Sequence, residues 1–199
     1  WDPAYPAAPE DDTALGTDVP DRGSDGHGPS AEIDAEAEDF PTKQSTGAKL
    51  AYLVRYAVQA PSSHNSQPWL FHVDGNTLYL YADRSRALPV VDPDDRALVI
   101  SCGAALLNLR VAARHFGHEL RFELLPDPGD EDVLARAELL PAELPSYEEK
   151  LLFWAISHRR TNRHAFEPRP LPPELAPLLT AAAEQEGAAE LRFAAGVVR

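Results

Sequence analysis

The apolar positions of this chain fall into two periods. Leu50, Leu53, Val54, Ala57 and Val58 recur at helical spacing. They predict a helix that opens at Ser45 or Thr46, either able to cap it, and closes before Pro61, which pushes its predecessor out of the α region. Trp69–Val73 and Thr77–Ala82 alternate instead, around Asp74-Gly75-Asn76, the pattern of a β-hairpin with a tight turn. Residues 83–95 are polar and proline-rich and read as loop. The longest helical pattern runs from about Arg96 to Phe116, with Cys102, Ala105, Leu106, Leu109, Ala113 and Phe116 along one face and Gly117 at its C-terminal cap. Its Gly103-Ala104-Ala105 run is expected to admit another backbone at close range.

Leu120–Leu125 alternates like a strand and is broken by Pro126-Asp127-Pro128-Gly129. Residues 133–140 fit a strand or a short helix equally. Pro141 to Pro145 reads as a boundary. Beyond it a helix is expected over Tyr147–His158, with Leu151, Leu152, Ala155 and Ile156 inward, and another from about Pro172 to Glu186. The latter carries Leu175, Leu178, Leu179 and Ala182 on one side and precedes a short strand around Leu191–Ala194. The tetrapeptide Glu-Leu-Arg-Phe at 119–122 recurs at 190–193, each time after an alanine-rich helix, which raises an internal repeat.

Charge divides the chain unevenly. Residues 1–40 hold twelve acidic side chains and only Arg22 as a base, a net −11 out of the −14 of the whole chain. With few large apolar side chains, that segment cannot offset its ordering entropy by burial and is expected to be a disordered acidic tail. The remainder is close to neutral, so a phosphodiester backbone gains nothing from it and nucleic acid is not an expected partner. No uninterrupted apolar run approaches the ~20 residues that span a bilayer, so no membrane-crossing segment is expected. The single Cys102 excludes an internal disulfide framework and fits a cytoplasmic setting. The chain lacks methionine even at position 1 and stops at Val197-Val198-Arg199 without a cap signal, so it is expected to be a fragment. Three segments are thus predicted: a tail over 1–44, a first unit over 45–144 and the start of a second over 145–199.

Two polar clusters could carry chemistry. Ala60-Pro61-Ser62-Ser63-His64-Asn65-Ser66-Gln67-Pro68-Trp69 joins helix to hairpin as a stiff loop rich in hydroxyls and amides. Such a segment either satisfies its own backbone or binds a ligand. Arg159-Arg160-Thr161-Asn162-Arg163 offers three guanidiniums, whose donor forks suit phosphate and polarised carbonyl oxygens. The side chains of 159, 161 and 163 share a side if the segment is extended, those of 160 and 163 if it is helical. It is otherwise an exposed basic turn. Hydrolysis by Ser62, Ser63 or Cys102 with a histidine is the rival, but no Gly-x-Ser-x-Gly elbow is present and Cys102 falls on an apolar face. His115 and His118 find no carboxylate or thiol set for a metal, and neither a Walker nor a Gly-x-Gly-x-x-Gly turn occurs.

Ala-Pro-Ser-Ser-x-Asn-Ser-Gln-Pro-Trp between helix and strand resembles the nitroreductase family of FMN-binding flavoproteins. Arg-Arg-Thr-x-Arg at 159–163, followed by Phe166, is similar to that family's Arg-Arg-Ser-x-Arg-x-Phe motif. Here the two motifs stand in inverted order. That order, together with Tyr81-Ala82-Asp83-Arg84-Ser85-Arg86-Ala87-Leu88-Pro89 and Ile100-Ser101-Cys102-Gly103-Ala104-Ala105, resembles the Acg-like branch, in which two nitroreductase units share one chain. The resemblance implies an α+β nitroreductase-like fold and an internal pseudo-dimer with FMN between units. It further implies flavin-mediated hydride transfer from NAD(P)H to a small acceptor. Under it Arg159, Arg160 and Arg163 contact the ribityl-phosphate and the N1/O2 edge of the flavin, and Thr161 replaces the family serine. Ser62, Ser63, Asn65 and Gln67 face the ring from the other unit. No side chain need act as a general acid or base, so no catalytic residue follows. No arginine motif precedes Ser45, which argues against a second, symmetric flavin site. A protein that sequesters or senses FMN with little turnover is the alternative.

Overall fold

The computed structural model describes residues 39–165 and 170–187. The acidic tail up to residue 38, Phe166 and the strand expected around Leu191–Ala194, with the second Glu-Leu-Arg-Phe, lie outside the described residues. Over the rest, the element order is α1 (Thr46–Ala57), β1 (Trp69–Asp74), β2 (Thr77–Ala82), α2 (Arg96–His115), β3 (His118–Leu124), β4 (Val133–Pro141), α3 (Tyr147–His158) and α4 (Leu175–Gln185). The chain divides into two compact units after Arg160.

In the first unit the four strands form one antiparallel sheet in the order β1-β2-β4-β3. Residues 133–140 therefore resolve as a strand: β4 lies between β2 and β3, with Leu78 opposite Ala137 and Phe122 opposite Ala137 on its other side. Alternation then sorts the faces. Leu78, Leu80, Ala82, Leu120, Ala135 and Ala137 are buried under the helices, whereas Arg121, Arg136 and Glu138 pair across the outer face. At the hairpin tip Asp74 pairs with Thr77, so the turn is the two residues Gly75-Asn76, with Gly75 in the left-handed region at φ 57° that suits glycine.

Helix α1 begins where Ser45 accepts a hydrogen bond from the Ala48 N–H. Its second residue, Gly47, lies so close to the hairpin tip that a Cβ there would stand 2.6 Å from the Gly75 carbonyl oxygen. Helix α2 is the centre of the unit. Leu98, Cys102, Ala105, Leu109, Ala112 and Ala113 are buried on it, packed against α1, α3 and the sheet. Its start is not capped by the adjoining Asp95; the buried Asp92 carboxylate instead accepts the N–H groups of Ala97 and Leu98, both at 2.9 Å. Gly117 closes it at φ 72°.

By length and mean hydropathy (1.4), α2 would suffice to cross a membrane, although Ser101, Gly103 and Asn108 interrupt its apolar run. Packing against three neighbours accounts for part of that apolarity. Its outward side is also apolar: Val99, Ile100 and Leu107 are 44%, 60% and 40% exposed. Among the described residues the close backbone approach expected at Gly103 is not made, since none of them lies within 4 Å of where its Cβ would be.

Packing begins before Ser45. Phe40 is buried and stacks on Phe116 with centroids 4.3 Å apart, edge-on to Tyr52. It also continues past Pro145, because α3 packs on α2. The inward face of α3 is only partly the predicted one: Ile156 is buried and Leu151 half-buried as expected, but Phe153 is buried while Leu152 is 57% exposed and Ala155 is exposed. Phe153 stacks on His115 at 3.7 Å, and Glu149, one turn earlier, takes a forked pair from Arg114 at 2.7 and 2.9 Å. Those two contacts set the rotation of the helix. The second unit contains α4, on which no residue is buried.

Candidate functional site

The stretch from Ala60 to Trp69 is built between two fixed ends. Helix α1 tightens as it finishes, with Gln59 and Ala60 donating to the carbonyls of Tyr56 and Ala57 at 3.1 Å. Ser62 is extended, Ser63–Asn65 form a single 3₁₀ turn, and Trp69 enters β1 buried. Within the loop the Asn65 and Ser66 N–H groups return to the carbonyls of Ser62 and Ser63 at 3.0 Å, and the Ser62 hydroxyl oxygen accepts the Gln67 N–H at 2.9 Å. His64, Asn65 and Gln67 hold φ of 51°, 57° and 51°. Three non-glycine residues in the left-handed region within four positions is an uncommon arrangement, better tolerated by His64 and Asn65 than by Gln67. Backbone of this kind collects at binding and catalytic sites. The side chains of His64 and Asn65 are exposed; those of Ser63 and Gln67 are half-buried.

Behind the loop, its carbonyls are held by other elements. The Pro68 carbonyl accepts the Asp83 N–H at 2.9 Å and the Cys102 thiol at 3.2 Å. The carbonyls of Ser66 and Gln67 accept from the Arg86 guanidinium at 3.2 and 3.4 Å. Arg86 stands on the 3₁₀ turn Arg84–Arg86, capped by Asp83, whose carboxylate also pairs with the Arg86 Nε at 3.1 Å. Arg84 on the same turn reaches the other way, to Asp95 before α2 and Asp132 before β4.

Arg159 is the residue on which α3 ends, and its guanidinium donates to the Gln59 carbonyl at 3.4 Å. Arg159 thus meets the chain at the residue just before the loop. Arg160 turns back onto its own helix, donating to the carbonyls of Ser157 and Arg159 at 2.6 and 2.9 Å, a favourable place for a cation. Residues 159–163 are not helical, so the helical alternative falls; Arg159 itself is extended. Thr161 and Arg163 are exposed and open the second unit.

The hydrolase reading loses two of its three candidate nucleophiles. Ser62 is engaged by Gln67. Cys102 is fully buried, and that burial pushes its thiol up to about 12, against a small opposing pull from Arg84. No group of three metal-ligating side chains occurs among the described residues. Two open hollows, of about 480 Å³ beside Asp39, Tyr52 and Arg55 and about 320 Å³ beside Arg121 and Arg136, include no residue of either cluster. Sequence reasoning missed Asp83, Arg86 and Gln59 as parts of this constellation. The only signal was the polar Asp-Arg-Ser-Arg run between hairpin and helix.

An antiparallel sheet covered by helices on one face, with this loop leading from α1 into its edge, defines an α+β, nitroreductase-like protein. The chain is 35% identical over 163 residues to "Putative NAD(P)H nitroreductase Rv3131" of Mycobacterium tuberculosis, covering 82% of this chain and 45% of that protein. It is 37% identical over 131 residues to "Putative NAD(P)H nitroreductase acg" of the same organism (66% and 40%). It is 32% identical over 128 residues to "Probable NAD(P)H nitroreductase PigM" of a Serratia species (60% and 34%). No family model matches the chain. These relatives support a nitroreductase-family assignment for the chain. It spans less than half the length of each.

Proposed function

We propose that this chain is part of an FMN-dependent oxidoreductase of the nitroreductase type, which carries hydride from NAD(P)H to a small-molecule acceptor in the cytoplasm. The observation that carries the reading is the 62–67 loop: strained, pinned by its carbonyls from behind, with Ser63, His64 and Asn65 left within reach of a ligand and Arg159 tied in beside its first residues. The names of the relatives support the reaction class.

The donor set fits a flavin. Ser63, Asn65 and Gln67 present hydroxyl and amide groups of the kind that meet the polar edge of an isoalloxazine, and Arg159 and Arg163 present guanidiniums suited to the ribityl-phosphate. Arg160, committed to the end of α3, supports the cluster from behind, and Ser62 serves the loop's own shape. When bound, FMN supplies the hydride chemistry; the residues named here bind and orient it. The pairing of the two clusters across an internal pseudo-dimer of two units, as the length of the relatives favours, belongs to the same proposal.

Purified from cells, the protein is expected to be yellow with flavin absorption bands, to bleach on anaerobic addition of NADPH, and to lose flavin when Arg163 is replaced by alanine. A colourless protein that takes up no added FMN overturns the reading. A yellow one that NADPH does not reduce would instead be a flavin-sequestering or sensing protein.

A further inference from the structure

Left to itself, a loop with His64, Asn65 and Gln67 in the left-handed region would relax. Such strain persists only where the surroundings over-determine it. Most of what surrounds this loop is local backbone bonding. Two carbonyls are not held in that way. Those of Ser66 and Gln67 flank the third left-handed residue, and they find their donor in Arg86, twenty positions later in sequence. The guanidinium can serve both because its Nε is fixed by the Asp83 carboxylate, leaving Nη1 aimed at the loop. Asp83 is itself anchored, since its N–H is bonded to the Pro68 carbonyl, next to Gln67 at the same end of the loop.

We infer that Arg86, oriented by Asp83, is the positioning residue that keeps the 62–67 loop in its ligand-ready conformation. The inference rests on the flavin reading only for what the ligand is. A half-exposed Arg–Asp pair in isolation contributes little to stability, and the Arg86 side chain is 52% exposed. Here the pair matters for direction: the Asp83 carboxylate holds Nε, so that the single nitrogen Nη1 is aimed at both adjacent carbonyls, an aim that a flexible, unpaired lysine stem holds less firmly.

Backbone amide exchange and FMN titration on the protein with Arg86→Ala and Arg86→Lys test this. In Arg86→Ala the amides of 63–67, that of Gln67 above all, should exchange about tenfold faster while β1, β2 and α2 are unchanged, as for a local opening. The FMN dissociation constant should rise about tenfold, equivalent to losing ~1.4 kcal/mol. Arg86→Lys should restore part of both. Unchanged loop exchange in Arg86→Ala overturns the inference, as does acceleration spread over the whole unit. If Arg86→Ala does not fold, Asp83→Asn takes its place: faster exchange confined to 63–67 supports the inference, and unchanged or unit-wide exchange overturns it. Should the wild type take up no FMN while Arg86→Ala still loosens the loop, the flavin reading falls and the positioning role stands. Should FMN bind both proteins equally with unchanged exchange, the positioning role falls and the flavin reading stands.

Discussion

Cys102, on the central helix, donates its thiol proton to the carbonyl oxygen of Pro68, 3.2 Å away, where the loop turns into the first strand. The thiol is fully buried, and burial raises it from the ordinary 9.0 to about 12. Below pH 9.0 the thiol is neutral in both folded and unfolded chains. Above that, the unfolded thiol loses its proton while the folded one keeps it, so stability falls as pH rises towards 12, by about a factor of ten per pH unit from this group. Urea unfolding from about pH 7.5 to about pH 10.5 should show a decline that Cys102→Ala removes. A thiol reagent at about pH 8 should react only as fast as the protein opens; immediate reaction in native buffer would contradict the burial.

Gly47→Ala sets two effects against each other. Helix propensity alone favours alanine by up to ~1 kcal/mol. The added Cβ, however, would lie 2.6 Å from the Gly75 carbonyl oxygen, a backbone atom that cannot swing aside. Overpacking of this kind costs about 1–3 kcal/mol, so the clash should win and the variant should melt earlier than wild type. A higher melting temperature would show that the helix and the hairpin tip are not in contact.

Glu149 joins two devices at the start of α3. It completes a capping box with Ser146 and takes the Arg114 fork. The Arg114 hydrogen bonds, and after them the Ser146 N–H, hold its carboxyl below the ordinary 4.5. A depressed carboxylate stabilises the fold above its unfolded value and stops doing so as pH falls through the folded one. The stability gap between wild type and Glu149→Gln should therefore be full at about pH 6–7 and close steadily below about pH 4.5. A gap that is constant with pH would mean that the charge contributes nothing.

Asp92→Ala removes the carboxylate that accepts two N–H groups at the start of α2. Loss of a helix cap costs about 0.5–2 kcal/mol, and the upper end is expected here because Asp92 is buried. Asp92→Asn keeps one acceptor oxygen and should fall between. Chemical denaturation of the three proteins measures the order.

Hairpin, central helix and both polar clusters were legible in the sequence because each is a local pattern: alternation, helical spacing, or a run of unusual side chains. What was not legible depends on rotation and reach. Leu151-Leu152-Phe153-Trp154-Ala155-Ile156 is apolar all round, so no stripe singles out Phe153; stacking on His115 does. Phe40 closes an acidic run whose average composition hides it, although it fills a gap between Tyr52 and Phe116. Arg86 could not be assigned because its partners are backbone carbonyls, whose direction is set by left-handed residues that no side-chain periodicity records.

The outward side of α2 carries a practical consequence. Val99, Ile100 and Leu107 present branched hydrocarbon to water, and the water gains by leaving it. Preparations of this chain should become sticky as concentration rises. A single Ile100→Lys exchange on that exposed side should be the simplest way to keep them clear enough for optical tests of the proposed flavin.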